Sequence, residues 1–205
     1  MPADVGGPGI GVCDDAWMNV DPVFQEFVDV LNALAGAHGF ALAGLDKERK
    51  YWKEWLASAE TPVTADSTVY IADGRPEFPS TVAYSKWRLG DLPDALAVGG
   101  TVMTRVSQQW VISVYAEWEE HYRGLITDAM GLSEPLKLPM FGDLRCFRHD
   151  IVHHRGIATA DNTGKCEVFT DWFKPGQTMF FDIYKVAEFM TKIEAVESLP
   201  RQGWK

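Results

Sequence analysis

Residues 144–158 read LRCFRHDIVHHRGIA, with three arginines and three histidines between positions 145 and 155. At 100° per residue, with Arg148 as origin, Leu144, Ile151 and Phe147 fall at about −40°, −60° and −100° on a helical wheel. That compact apolar arc predicts an amphipathic helix with one face in a core. Arg145, His149, His153 and Cys146 fall at about 60°, 100°, 140° and 160°, on the other flank. The cationic and imidazole groups form a polar stripe on a helix that Asp143 is expected to cap and Gly156 to end.

Working outward, residues 101–131 (TVMTRVSQQWVISVYAEWEEHYRGLITDAMG) place Met103, Val106, Trp110, Val114, Trp118, Tyr122 and Leu125 at steps of three and four. This predicts a long helix stopped by Gly131. A loop with Pro135 and Pro139 leads to the opening stretch. Beyond it, residues 165–186 (KCEVFTDWFKPGQTMFFDIYKV) read as two strands around KPGQ, a small β-hairpin, and residues 185–199 as a closing helix.

Toward the N-terminus, Asp21 and Pro22 predict the start of a helix running to about Ala37, with Val23, Phe24, Phe27, Val30, Leu31 and Leu34 at helical spacing. A second helix is predicted over 45–60, with Tyr51, Trp52, Trp55 and Leu56 inward. Residues 61–100 are rich in proline and glycine and predict an irregular connection with one or two short strands. The first 20 residues hold four glycines and two prolines and predict a flexible arm. The expected organisation is an arm over 1–20, an N-terminal helical region over 21–100 and a helical domain over 101–199.

With 46% apolar residues and 12% aromatics, the 205-residue chain has the composition of a globular protein. Cys13, Cys146 and Cys166 are too scattered, and too few, for a disulfide framework or a paired-cysteine metal knuckle. A net charge of −10 argues against a broad nucleic-acid-coating surface and leaves room for a small local basic site. No uninterrupted run of 18 apolar residues occurs and the N-terminus has no basic start followed by an apolar stretch, so a cytoplasmic protein without a membrane partner is expected.

Three readings compete for the polar stripe: a solvated helix face, a metal site and a nuclease site. His149 and His153 lie four residues apart and suit one ion, and HDIVH resembles the zinc-protease pattern H-E-x-x-H. Asp150, however, replaces the longer glutamate, no third ligand is apparent, and the neighbouring arginines oppose a dication. The expectation is therefore no metal and no cofactor. The nuclease reading rests on Arg148 and His153. Cleavage of RNA by its own 2′-hydroxyl needs a group that moves protons and a fixed cation on the phosphorane, which imidazole and guanidinium supply. The two lie about 140° apart on one helix. A two-fold dimer, with antiparallel copies of the helix, would gather two arginines and two histidines around one cleft.

Other residues have competing readings. Arg145 and Arg155 could hold flanking phosphates or, for Arg155, complement the helix dipole. His154, at about −120°, is expected to pack against the apolar face. Glu117, Glu119, Glu120 and His121 read as a solvated turn, and Trp110, Tyr115, Trp118 and Tyr122 as core or dimer interface before base-stacking platforms. Cys146 lacks the base and orienting group of a cysteine hydrolase.

The stretch LRCFRHDIVHHRGIA resembles the signature of the HEPN superfamily (higher eukaryotes and prokaryotes nucleotide-binding domains), an R-x4-6-H motif with a polar residue after the arginine. Arg148 matches the arginine, His149 the polar residue and His153 the histidine, and the preceding helix ending YAEWEEHYRGLI resembles helices that pack beside the motif. The resemblance covers roughly residues 101–199. It implies an antiparallel helical bundle, a homodimer and, in many members, metal-independent endoribonuclease activity in toxin–antitoxin or phage-defence systems, with a neutralising antitoxin or regulatory protein as a further partner. Arg148 would then stabilise the phosphorane, His153 act as general acid or base and His149 support them. Other members are non-catalytic and bind nucleotide, RNA or protein. A zinc hydrolase using His149 and His153 is the third alternative.

Overall fold

The computed structural model describes residues 20–58, 63–73 and 82–197. Cys13 and nearly all of the predicted arm lie outside the described residues. The chain is mainly helical: α1 (Val20–Ala57), β1 (Thr68–Asp73), β2 (Val82–Arg88), α2 (Leu92–Ala95), α3 (Thr101–Ala116), α4 (Arg123–Ala129), α5 (Pro139–His153), α6 (Ala160–Thr163) and α7 (Ile183–Glu197). One aromatic-rich core joins α1, α3, α4, α5 and α7, with Phe27, Trp118, Phe141, Phe147, Phe181 and Phe189 each at most 2–3% exposed.

The helices α3 and α4 are one rod, joined through a π-helical turn over Glu117–Tyr122 in which the Arg123 N–H bonds back to the Trp118 carbonyl. The turn has a physical reason in the sequence. Trp110, Val114, Trp118, Tyr122 and Ile126 recur every four residues, and in a straight α-helix each such step rotates the face by about 40°. Widening the turn cancels the drift, so all five stay buried. The same shift explains why Leu125, expected inward, is 42% exposed while Ile126 is fully buried. Gly131, at φ +63°, ends the rod as predicted.

Several expectations are corrected. α1 starts at Val20, a residue before the expected cap, and is one helix rather than two. The glycines at 36, 39 and 44 cost helix propensity without removing a hydrogen bond, and no proline interrupts the stretch. Its first half packs Phe24, Phe27, Val28 and Leu31 into the core, and the Tyr122 hydroxyl donates to Glu26 at 3.1 Å. In the second half Tyr51 is exposed, and Trp52 stacks edge-on with both Tyr51 and Trp55 at 5.3 and 5.7 Å. Between Pro22 and Ala57 α1 is also long and apolar enough to cross a membrane by length and composition, which a search for an uninterrupted apolar run misses. Its contacts with Trp118, Tyr122 and Phe141 are those of a bundle helix.

The β-hairpin is real but lies elsewhere. β1 and β2 pair antiparallel, with an irregularity between Ile71 and Ala72, and are the short strands expected within residues 61–100. Around KPGQ a turn does form, with Gly176 at φ +84° and the Gln177 N–H bonding to the Lys174 carbonyl. No strand precedes it. The returning chain pairs instead with the segment just after α5, through the Ile157–Thr178 bridge and bonds from Ala158 N–H to Gln177 O and Met179 N–H to Gly156 O. Residues 166–173 cannot form a strand there, because Phe169, Trp172 and Phe173 all turn into the core.

His38, on α1, ties the bundle together from within. It is 5% exposed, its Nε2–H donates to the Phe181 carbonyl at 2.9 Å, and its Nδ1 has no partner. Burial lowers its proton affinity below the ordinary value of 6.5, against the opposing pull of the Phe181 carbonyl and Asp182. The folded protein therefore binds fewer protons at this ring than the unfolded chain. Its contribution is intact above about pH 6.5 and is lost as the pH falls below that value toward the lowered folded pKa. Melting temperature should drop between pH 7 and pH 5, and His38→Gln should flatten that slope. A wild-type profile flat over this window would show that the ring is not buried neutral.

Candidate active site

The helix α5 begins at Pro139, whose fixed φ suits the first helical position, with Leu138 as an extended N-cap. Asp143 is therefore not its cap. It sits inside the helix, 1% exposed, and its carboxylate accepts the backbone N–H groups of Glu167, Val168 and Phe169 at 2.9, 2.8 and 2.7 Å. Leu144, Phe147 and Ile151 are buried, as the wheel predicts. The helix ends at His153, with Arg155 at φ 56° and Gly156 at φ +76°. A Cβ on Gly156 would come within 2.1 Å of the Gln108 amide, which donates to the Met179 carbonyl, so glycine is required.

Arg145, Arg148, His149 and His153 are all exposed on α5. Arg148 lies over the Tyr115 ring of α3, 5.6 Å from its centroid. His153 lies on the other side, its ring centroid 4.7 Å from that of His149. The two residues proposed for chemistry thus lean apart, as their separation of about 140° requires. Arg155 is exposed but has left the helix. His154 is exposed as well, contrary to the packing expected of it. The helix ends at this residue, which has φ −120° and ψ 24°, so the wheel no longer describes its direction.

The ring of His149 is positioned by a relay. Asp150, 1% exposed, accepts the Thr159 N–H at 2.7 Å, the Thr159 hydroxyl at 3.0 Å and the Asn162 amide. The Asn162 Nδ2 also lies 3.1 Å from His149 Nδ1, an arrangement that leaves the ring proton on Nε2. Donor atoms of His149, Asp150 and His154 lie within 4.8 Å of one another, a set that leaves out His153, so the cluster the fold assembles is not the His149–His153 pair read from the sequence. Asp150, though, is already engaged by Thr159 and Asn162.

The two described cysteines, Cys146 and Cys166, do not offer a nucleophile. Burial, then the nearby Asp143 charge, raises the Cys146 thiol, and the same causes push Cys166 up to about 12. Both remain protonated at neutral pH.

The most informative feature is what the arginines lack. Among the described residues Arg49 is held by Asp46, Arg88 by Asp66, Arg105 by Gln108 and Arg123 by Glu119. Arg145, Arg148 and Arg155 have no hydrogen bond or ion pair with another described residue, in a chain with 29 acidic and 19 basic residues. Three guanidiniums without a described partner, on and just after one helix, leave their donors free for an anion. Sequence reasoning ranked Tyr115 as core or interface before a base-stacking platform, and it missed the pairing of Asp143, Asp150, Thr159 and Asn162, which is set by tertiary structure. No protein-family model matches this chain, and comparison with curated proteins and with solved structures found no match.

Proposed function

We propose that this chain is a HEPN-like, metal-independent endoribonuclease that cleaves single-stranded or loop RNA to a 2′,3′-cyclic phosphate. The observation that carries this reading is the set of unpaired arginines on the helix bearing Arg148 and His153 in the R-x4-H arrangement. Arg148 stabilises charge on the phosphorane, His153 moves the proton, and His149, held by Asn162, supports the pair. Because Arg148 and His153 lean to opposite flanks, the working site is composite, made by two copies of α5 across a two-fold axis. A toxin or phage-defence role, with a neutralising partner protein, belongs to the same reading.

A second reading has its own observation: the His149, Asp150 and His154 donors would serve a zinc hydrolase. One experiment separates them. Purified protein is incubated with single-stranded RNA with and without a chelator, and its mass is measured by sedimentation at micromolar concentration. We expect cleavage undiminished by chelator and a particle of about twice the 22.9 kDa chain. Chelator-sensitive cleavage with stoichiometric zinc would favour the hydrolase. A dimer that binds RNA without cutting it would place the chain among non-catalytic HEPN-like proteins, and a strict monomer would remove the composite site.

A further inference from the structure

Beside Arg148 lies a cleft of about 480 Å³ between the α3–α4 rod and α5, within the range of about 300–1,000 Å³ typical of small-ligand sites. Its apolar wall is formed by Tyr115, Leu138 and Pro139, and its cationic rim by Lys137, Arg145 and Lys165. We infer that this cleft is a docking groove for single-stranded RNA, seating the nucleotide that flanks the phosphate held at Arg148. The inference rests on the ribonuclease reading for the identity of the nucleic acid, but it concerns binding and makes no use of catalysis.

Three features support it. First, the cleft joins an aromatic and aliphatic surface to a cationic edge, matching a base on one side and a phosphate on the other. Second, the groove is continuous with the candidate site, because Tyr115 lines it while carrying Arg148 over its ring. Arg145, Arg148 and Arg123 all lie near enough to the Tyr115 hydroxyl to favour its anion, although burial and then Glu119 prevail and raise its pKa. Third, two of the three lining carboxylates are already occupied. Glu119 is bidentate to Arg123, and Asp143 is taken up by three backbone amides. Glu167 remains as a free acceptor, suited to a base amino group rather than a phosphate. Arg145 is unpaired, and Lys165 has only an exposed i,i+4 ion pair with Asp161, which a phosphate can replace at little cost. A base enters such a cleft only when unpaired, which selects single strands.

The test is fluorescence anisotropy of a labelled twelve-nucleotide single-stranded RNA, with His153→Ala as the parent so that the probe survives, over a range of potassium chloride concentrations. Arg145→Ala and Lys165→Ala should each weaken binding severalfold and reduce the slope of log affinity against log salt by about 0.7, the value for one single-strand phosphate contact. Tyr115→Leu should weaken binding about 5-fold or more, while Tyr115→Phe keeps the ring and stays near the parent. Lys47→Ala, on exposed α1 surface, is the control. Circular dichroism establishes that each variant is folded. Unchanged affinity and slope in both cation variants, with RNA still bound by the parent and cut by the wild type, would overturn the groove and leave the ribonuclease reading standing. Altered binding in the variants of a protein whose wild type cuts nothing would do the reverse. A parent that binds no RNA would end both.

Discussion

Arg148→Ala should lower the rate of RNA cleavage by about 10²- to 10³-fold, the cost of removing one preorganised donor to a developing oxyanion. His153→Ala should lower it by about 10²- to 10⁴-fold, the typical worth of a positioned proton-transfer group. Neither change should unfold the chain. Both side chains are exposed, and the one contact described for Arg148 is the face of Tyr115, worth about 0.5–1 kcal/mol at such a site. Arg148→Lys should fail almost as badly, because a point charge cannot reproduce a bidentate hold on phosphate. His149→Ala should be milder if the ring only supports the pair. If a zinc ion were held by His149, Asp150 and His154 instead, His149→Ala would be as severe as His154→Ala and would release the metal. Initial rates on a labelled RNA, with sedimentation to confirm the dimer, decide the matter. Wild-type rates in Arg148→Ala/His153→Ala would falsify the assignment.

How legible these features are depends on the range of the forces behind them. The rod formed by α3 and α4 is readable because its apolar spacing is local, yet the burial of Ile126 in place of Leu125 is not. A sustained step of four admits two answers, a drifting α-helix or a widened turn, and the facing rings of Phe27 and Phe141 select the second. The KPGQ turn is readable from Pro175 and Gly176, whereas its strand partners are not. A tight turn fixes the chain reversal, while Phe169, Trp172 and Phe173 are drawn into the core and leave the segment after α5 as the only described pairing partner. The continuity of α1 across Gly36, Gly39 and Gly44 is not readable, because their weak helix propensity yields to the packing of its first half on the bundle.

The candidate site divides along the same line. The wheel separates the exposed Arg145, Arg148, His149 and His153 from the buried Leu144, Phe147 and Ile151, because one helix obeys one periodicity. It fails at His154, one residue beyond the end of α5. It is also silent on partners from other elements: Tyr115 beneath Arg148 comes from α3, and Asn162 beside His149 from α6. Asp150 stood in the sequence as a shortened glutamate in a zinc motif. In the fold it faces Thr159 and Asn162 and fixes the start of α6, a role that no spacing within α5 reveals.

Asp143→Ala should be among the most destabilising substitutions in the protein, at about 3–5 kcal/mol, since one buried carboxylate serves three backbone amides and each such bond is worth about 1–3 kcal/mol. The carboxylate accepts three consecutive amides, and of these the Phe169 N–H is buried and would have no water to replace the lost oxygen. The loop it holds delivers Phe169 onto Trp172, with ring centroids 4.0 Å apart, and Trp172 in turn stacks on Phe147 of α5. Losing the anchor therefore loosens the packing behind the helix that carries Arg148 and His153. For a domain of this size the expected fall in melting temperature is about 6–20 °C. Asp143→Asn keeps one oxygen in place and should cost roughly half as much. Because Asp143 contacts backbone amides and not the exposed stripe, cleavage at saturating RNA, measured well below the melting point, should stay within a few-fold of wild type, which separates an anchor from a catalytic acid. Calorimetry on the two variants provides the check: a shift under about 2 °C for Asp143→Ala would mean that the three amides find other partners and that the loop does not depend on this carboxylate.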